Sequence, residues 1–284
     1  MGNVFIFRER SGIFMLKAFF DSEKIEYFAV LDYKNCIEIS APIMEREDFT
    51  PRSVILFLMP YYTGETLNIS RYAASLDYHL AIRGVGERLS AYLREKFPDA
   101  KMKIFGDHSP IAERHAACIS GLGIAGDSGL LINEKYGTYV FIGDMISDIP
   151  PELLGEMQIH KIESCHHCGA CQRACPTGIL RGEGSDCLSA ITQRKGELSE
   201  DEKALLRKHN TAWGCDLCQS SCPYNKNPQK TPIDFFYKDR IDRLTKEALA
   251  AMTKEQFKSR AFAWRGKKVV ERNLEILENL QRNT

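Results

Sequence analysis

Apolar positions along the first 155 residues follow two periods, and each period predicts an element. Ser53-Val-Ile-Leu-Phe-Leu-Met59 is an unbroken apolar run closed by Pro60, the pattern of a buried strand. From Arg71 to about Phe97, Leu76, His79, Leu80, Ile82, Val85, Leu89 and Leu93 recur near helical spacing, which predicts one helix ending at Pro98. Lys101–Phe105 alternates, as a short strand does. Ser109 and Pro110 then suit the cap and first turn of a helix from about Ile111 to Ile119. Gly121, Gly123 and Gly126 break that helix into a loop. Gly129–Ile132 and Tyr139–Ile142, joined across Asn133–Gly137, are expected to form a β-hairpin. Beyond about Thr231 helical patterns dominate, with Val269, Val270, Leu274, Leu277 and Leu280 on one amphipathic stripe.

Between these regions lie two cysteine runs. Cys165-His-His-Cys168-Gly-Ala-Cys171-Gln-Arg-Ala-Cys175-Pro176 has the C-x2-C-x2-C-x3-C-P spacing with which bacterial-type ferredoxins bind 4Fe-4S clusters, and Cys215-Asp-Leu-Cys218-Gln-Ser-Ser-Cys222-Pro223 follows it. Three thiolates two residues apart can each take one iron of a cube, whereas the fourth points away and serves the other cluster. The spacing therefore assigns Cys165, Cys168, Cys171 and Cys222 to one cluster. Cys175, Cys215 and Cys218 go to the second, with Cys187, the one cysteine between the runs, as its fourth ligand. A tetrahedral zinc site would leave the first run with surplus thiolates. A disulfide framework belongs to short secreted chains. The remaining Cys36 and Cys118 are expected to be ordinary buried thiols.

Composition adds limits. The 284 residues are 44% hydrophobic and 27% charged, enough for a large domain and a smaller one. No apolar stretch of about twenty residues occurs, and the apolar start is broken at Arg8, Glu9 and Arg10, so neither a membrane span nor a signal peptide is expected. Reduced thiolates without an export signal point to the cytoplasm. The formal net charge is zero, but from Pro223 onward 14 Lys and Arg face 8 Asp and Glu, a basic excess of the kind that can meet a polyanion. Gly121-Leu-Gly123-Ile-Ala-Gly126 has the look of a dinucleotide fingerprint, yet it follows a helix and precedes strands, the reverse of the required order. NAD binding is rejected there. What remains is a backbone that a ligand could approach closely, or a helix terminus and turn with no ligand.

The motifs together resemble the epoxyqueuosine reductase family. The likeness runs from about Ser53 to Asn225 through Arg71-Tyr72-Ala73, Asp77-Tyr78-His79, Asp107-His-Ser109-Pro110-Ile-Ala-Glu113-Arg114, the glycine loop, Leu130-Leu131-Ile132, Lys135-Tyr136-Gly137, Cys187-Leu-Ser189, Gly214-Cys215-Asp216 and Cys222-Pro223-Tyr224-Asn225. It implies an α+β architecture: a mixed α/β cobalamin-binding domain (1–158), a ferredoxin-like double-cluster domain (159–228) and a helical carboxy-terminal segment (229–284). It also implies reduction of epoxyqueuosine to queuosine in the anticodon loop of tRNA, with two 4Fe-4S clusters passing electrons to cobalamin. Related architecture occurs in corrinoid reductive dehalogenases, and the alternative reading is a corrinoid iron-sulfur reductase or electron-transfer protein acting on a different acceptor, a small electrophile or an organohalide. The resemblance makes Asp107 the catalytic acid, since the oxygen of an opened epoxide must be protonated before it leaves. It places Arg71, Tyr72, His79, Asp107, Ser109, Gly123, Gly126 and Gly129 at the corrinoid. A flavodoxin or ferredoxin donor and a monomer are further expectations. Four features depart from the family. After Cys187, Ser189-Ala190-Ile191-Thr192 replaces the usual Ser-Tyr-Leu-Thr and loses an aromatic. Ile124 stands where Trp is usual, Gly126-Asp127-Ser128-Gly129 replaces Gly-Lys-Asn-Thr, and the sequence stops at Thr284 where many members continue into helical repeats.

Overall fold

The computed structural model describes residues 3–278. They form two compact units, one comprising residues up to Pro60 and His79–His166, the other Tyr61–Tyr78 and the residues from His167 onward.

In the first unit α1 (Asn3–Ser22), β1 (Phe28–Asp32), α2 (Ala41–Met44), β2 (Ser53–Pro60), α3 (Tyr78–Arg94), β3 (Met102–Phe105), α4 (Glu113–Ile119), β4 (Ile124–Ala125), β5 (Leu131–Ile132), β6 (Val140–Ser147) and α5 (Pro151–Leu154) follow in order. The main sheet runs β1-β2-β6-β3, with every pair antiparallel. β2 is buried along its whole length because the sheet is covered on both faces, as its unbroken apolar run requires. Val54, Leu56, Leu58 and Ile146 share one face with Ala116, Ala117 and Ile119 of α4. Each of the Val, Leu and Ile side chains contributes roughly 1.5–3 kcal/mol by leaving water. Against the sheet α3 lies close: a Cβ on Gly86 would stand 2.4 Å from the Ile104 side chain.

Three sequence expectations are corrected. The helix expected from Arg71 starts at Tyr78, because Arg71–Asp77 bonds elsewhere: Ile241 donates to the Ala74 carbonyl, and the Asp77 amide donates to Ser259. Only a 3-10 turn remains at Arg71–Ala73. The expected hairpin of 129–132 with 139–142 does not form. β5 pairs with β4, while β6 enters the centre of the main sheet; a reciprocal Asn133–Gly137 bridge and the Asn133 carboxamide, which accepts the Lys135 and Tyr136 amides, turn the chain between them. Finally, α4 begins at Glu113 with Ala112 at its cap position, and Ser109 caps nothing.

The second unit carries the helices α6 (Ala170–Ala174), α7 (Leu188–Gln193), α8 (Glu200–Lys208), α9 (Leu217–Ser220), α10 (Lys246–Ala251), α11 (Lys254–Lys258) and α12 (Lys267–Glu278). Ser199 and Glu202 close a capping box on α8, and Thr253 and Gln256 close one on α11. Trp213 and Phe262 centre an apolar core that includes Ile69, Ala73, Leu244, Leu249, Val269, Val270 and Leu274. This core draws on the carboxy-terminal helices and on 61–78. Asn273 of α12, fully buried, donates to the Thr192 carbonyl at 2.7 Å and the Ala212 carbonyl at 2.8 Å. Leu280 of the expected stripe lies outside the described residues.

Candidate functional site

Asp107 follows β3 after one glycine, and the chain there is held in an uncommon backbone conformation. Asp107 and His108 have φ of 57° and 51°, two successive non-glycine residues in the left-handed region. Such conformations cost roughly 1–3 kcal/mol each and persist where surrounding contacts impose them. Here the contacts come from below. The Glu113 carboxyl accepts the Asp107 amide, and Ser109 Oγ donates to Asp144 Oδ1 at 3.1 Å while accepting the Ile111 amide at 3.4 Å. The Asp107 side chain stays 55% exposed, with His79 Nε2 3.6 Å from its carboxylate.

Asp144 is a fully buried carboxyl on the central strand, opposite Leu56 and Phe105. It faces Glu113 at hydrogen-bonding range, yet Asp144 Oδ2 and Glu113 Oε1 are both buried and neither meets an N–H or O–H donor. Two ionised carboxylates offer acceptors only, so the contact requires a proton between them. Burial and then the Asp107 charge raise Glu113 to about 7, against the lowering effect of its hydrogen bonds with Asp144 and the Asp107 amide and of the Arg114 charge. Asp144 is raised well above the usual carboxylate range by burial and then by Glu113, against the opposing Ser109 hydrogen bond. Glu113 stood in the sequence motif without a role, and Asp144 was missed; the available signal was a lone acid inside the apolar strand Val140–Ser147.

Two glycines of the expected corrinoid loop have a structural explanation. A Cβ on Gly123 would lie 2.6 Å from the Ile132 carbonyl, and one on Gly126 2.9 Å from that of Leu130, so both permit the close β4–β5 approach. Gly129 accepts from the Arg114 guanidinium. These three glycines, with His79, Asp107 and Ser109, belong to the first unit; Arg71 and Tyr72 belong to the second. Arg71 spans Glu65 and Asp216, donating from its amide at 2.7 Å and from Nη1 at 3.1 Å to Asp216. Tyr72 Oη accepts the Trp213 indole N–H at 2.9 Å. Asp216, whose role was missed, also accepts from Ser70 Oγ, fastening 70–71 to the cysteine loop.

The cysteines occupy helix ends and turns. Cys165 donates its amide to Ala125 beside β4, Cys168 and Cys171 flank the start of α6, Cys175 ends it, Cys187 precedes α7, Cys218 lies within α9 and Cys222 follows it. Burial raises the Cys215 thiol to about 11, with Cys187, Asp216 and Cys175 adding charge; burial raises Cys218 to about 12, with Cys215 and Cys187 adding to it. Cys215 therefore feels Cys175 and Cys187, and Cys218 feels Cys215 and Cys187. At Cys175 burial acts upward but is outweighed by the amides of Leu180, Thr177 and Gly178, which lower the thiol. Amides aimed at sulfur favour thiolate and are the hydrogen bonds that tune iron-sulfur clusters. The donor set thus fits such a cluster. Cys36 is half-buried and Cys118 buried, both raised by burial.

Comparison with known proteins agrees with this arrangement. Residues 164–225 match the family model of a 4Fe-4S double cluster binding domain, and residues 49–108 match that of epoxyqueuosine reductase QueG, DUF1730. The epoxyqueuosine reductase of Listeria monocytogenes is 35% identical over 222 residues, which are 73% of this chain and 56% of that protein. That of Cyclobacterium marinum is 32% identical over 72% of this chain and 68% of its own length. Among solved structures, a selenomethionine-labelled epoxyqueuosine reductase superposes with a TM-score of 0.77 at 21% identity, covering 95% of this chain and 81% of that one. An epoxyqueuosine reductase with a tRNA-Tyr epoxyqueuosine-modified stem loop gives 0.75 at 21% identity, with the same coverage. The chain spans about half the length of several curated relatives it matches, 56% and 52% for those from Listeria monocytogenes and Staphylococcus aureus. With an identity above 30% across two thirds of the Cyclobacterium protein, the chain belongs to the epoxyqueuosine reductase family.

Proposed function

We propose that this chain reduces the epoxide of epoxyqueuosine in tRNA to the alkene, with Asp107 as the proton donor. The observation that carries the reading is the Asp107 loop: an exposed carboxyl, fixed in a left-handed backbone by buried acids beneath it, in a chain of this family. Two 4Fe-4S clusters are held, by the spacing argument, on Cys165, Cys168, Cys171 and Cys222 and on Cys175, Cys187, Cys215 and Cys218; the charge interactions that link Cys215 to Cys175 and Cys187, and Cys218 to Cys215 and Cys187, support the second set. Residues of the first unit also suit a corrinoid. His79 and Asp107 offer an imidazole and a carboxyl to its carboxamide rim, and the acid pair beneath them shares a proton, so an apolar macrocycle there would not face two buried charges. When bound, the corrinoid would supply low-valent cobalt to reduce the epoxide carbon, with electrons arriving singly from the clusters.

The chain's own part is to deliver protons and exclude misplaced charge. Asp107 protonates the oxygen as the C–O bond opens, and the fixed loop keeps the acid in place during that step. Substrate and partner follow the family: tRNA at the anticodon loop, a flavodoxin- or ferredoxin-type electron donor, and a monomer working in the cytoplasm. The structural relative with a bound tRNA stem loop supports the substrate. No described helix is long and apolar enough to cross a membrane. The test is anaerobic reconstitution with iron, sulfide and cobalamin, followed by nucleoside analysis of epoxyqueuosine-containing tRNA. Conversion to queuosine is the expected result. Loaded protein that leaves the epoxide intact with a competent reductant would reject the reading.

A further inference from the structure

Reducing an epoxide to an alkene takes two electrons and two protons: both C–O bonds break, one C=C bond forms, and the oxygen leaves as water. Asp107 carries one proton. We propose that Glu113 and Asp144 form a one-proton carboxyl pair that holds the Asp107 loop and returns a second proton to Asp107 within each turnover. The inference rests on the function proposed above, and it goes beyond the single acid that the sequence motif suggested.

Geometry supports both roles. Asp144 is completely buried and its Oδ2 lacks any donor, Glu113 Oε1 is buried and lacks one as well, and the two carboxyls lie within hydrogen-bonding range, so a proton held between them supplies a donor that two carboxylates would not have. The same Glu113 carboxyl accepts the Asp107 amide, while Asp144 holds Ser109 two residues further on. The pair therefore grips both ends of the segment that carries the acid. Its other neighbours are few. Asp144 faces Ser109, Glu113, Tyr33 and Cys36, and its charge helps to raise the last two, for each of which burial is the larger cause. Glu113 faces Asp107, Asp144 and the Arg114 guanidinium, and His79 stands on the far side of Asp107. Apart from Arg114 and His79, these groups are neutral or acidic, which favours keeping a proton on the pair. Once Asp107 has given its proton to the departing oxygen, an O–H bond on the pair breaks and one forms on Asp107, directly or through one water. Solvent then restores the pair through the exposed face of Asp107.

The test reads the proton itself before reading activity. Infrared spectra of the purified chain without corrinoid, in H2O and D2O, should show a protonated carboxyl band that shifts with deuterium and fades as pH rises through about 7. The band should be absent from both Glu113→Gln and Asp144→Asn and present in Asp107→Asn. In reconstituted enzyme, Glu113→Gln should bind tRNA with unchanged affinity and slow turnover by up to about 100-fold, the lower range for loss of a general acid. Its solvent isotope effect should rise, and the decline in rate above neutrality should disappear. A band that survives in both pair variants, or none in the wild type, overturns the inference even if epoxide reduction proceeds. If the band behaves as expected but the wild type reduces no epoxide, the shared proton stands and the catalytic role falls with the proposed function.

Discussion

Asp107 combines an exposed side chain with a constrained backbone, and the two properties make separate predictions. Asp107→Asn keeps the shape and removes the acid, so turnover should fall by roughly two to four powers of ten. Iron content and corrinoid binding, read from metal analysis and visible absorption, should stay at wild-type levels; undiminished turnover would leave Asp107 with no chemical role. Glu113 predicts a pH effect on stability. The folded chain holds its proton up to about pH 7, whereas the unfolded carboxyl releases it near 4.5. Its contribution is therefore complete below 4.5 and is lost as pH rises through about 7. Thermal midpoints recorded across that window should fall more steeply with pH in the wild type than in Glu113→Gln, and parallel curves would contradict the assignment. At this scale sequence showed Asp107 but not what holds it. Asp144 lies 37 positions away along the chain and meets the loop only through β3–β6 pairing, a long-range contact that no local pattern encodes.

Single elements show where local pattern was a sufficient guide. β2 was readable because burial on both faces leaves a continuous apolar run, and α12 because its Val269, Val270 and Leu274 stripe meets a core. The helix expected at Arg71 failed because hydrogen bonds to Asp216, Ile241 and Ser259 claim its first turns. The false hairpin failed because short apolar segments specify extended chain but not a partner. Cys187, ahead of α7, gives an element-level test: Cys187→Ala should reduce bound iron from about eight to about four per chain, since one of two four-iron clusters loses a ligand. Retention of both clusters would reassign the ligand. The turn before α12 bears Trp264, 61% exposed, with the Arg265 guanidinium 3.7 Å over its ring, followed by Lys267 and Lys268. If this surface holds tRNA, Lys267→Glu with Lys268→Glu should weaken binding at least tenfold at low salt, and wild-type affinity should fall steeply as salt rises. Binding that ignores salt would remove the surface from consideration.

For the molecule as a whole, composition and cysteine spacing indicated a cluster-bearing region beside an α/β region, because metal ligation leaves a fixed residue pattern. The course of the chain between them was hidden. Residues 61–78 sit early in sequence yet pack with 167–284: Leu67 donates to Asp242, Ser70 to Trp213, Ala212 to Asn68, and the Asn68 side chain bonds both backbone groups of Leu244. Nothing in the apolar periodicity of 61–78 distinguishes these partners from nearer ones. A consequence appears during synthesis. A ribosome releases 61–78 while its partners from Ala212 to Leu244 are more than a hundred residues from being made, so Ile69 and Ala73 must wait without a core. The first unit can close its sheet early, but the second must finish last, and with the ligand sets proposed above iron has no completed set of thiols to enter until Cys218 has emerged, and no second set until Cys222 has followed. The growing chain thus has an interval in which an apolar segment is exposed and every cluster site is incomplete, the stage at which a chaperone or limiting iron would decide its yield.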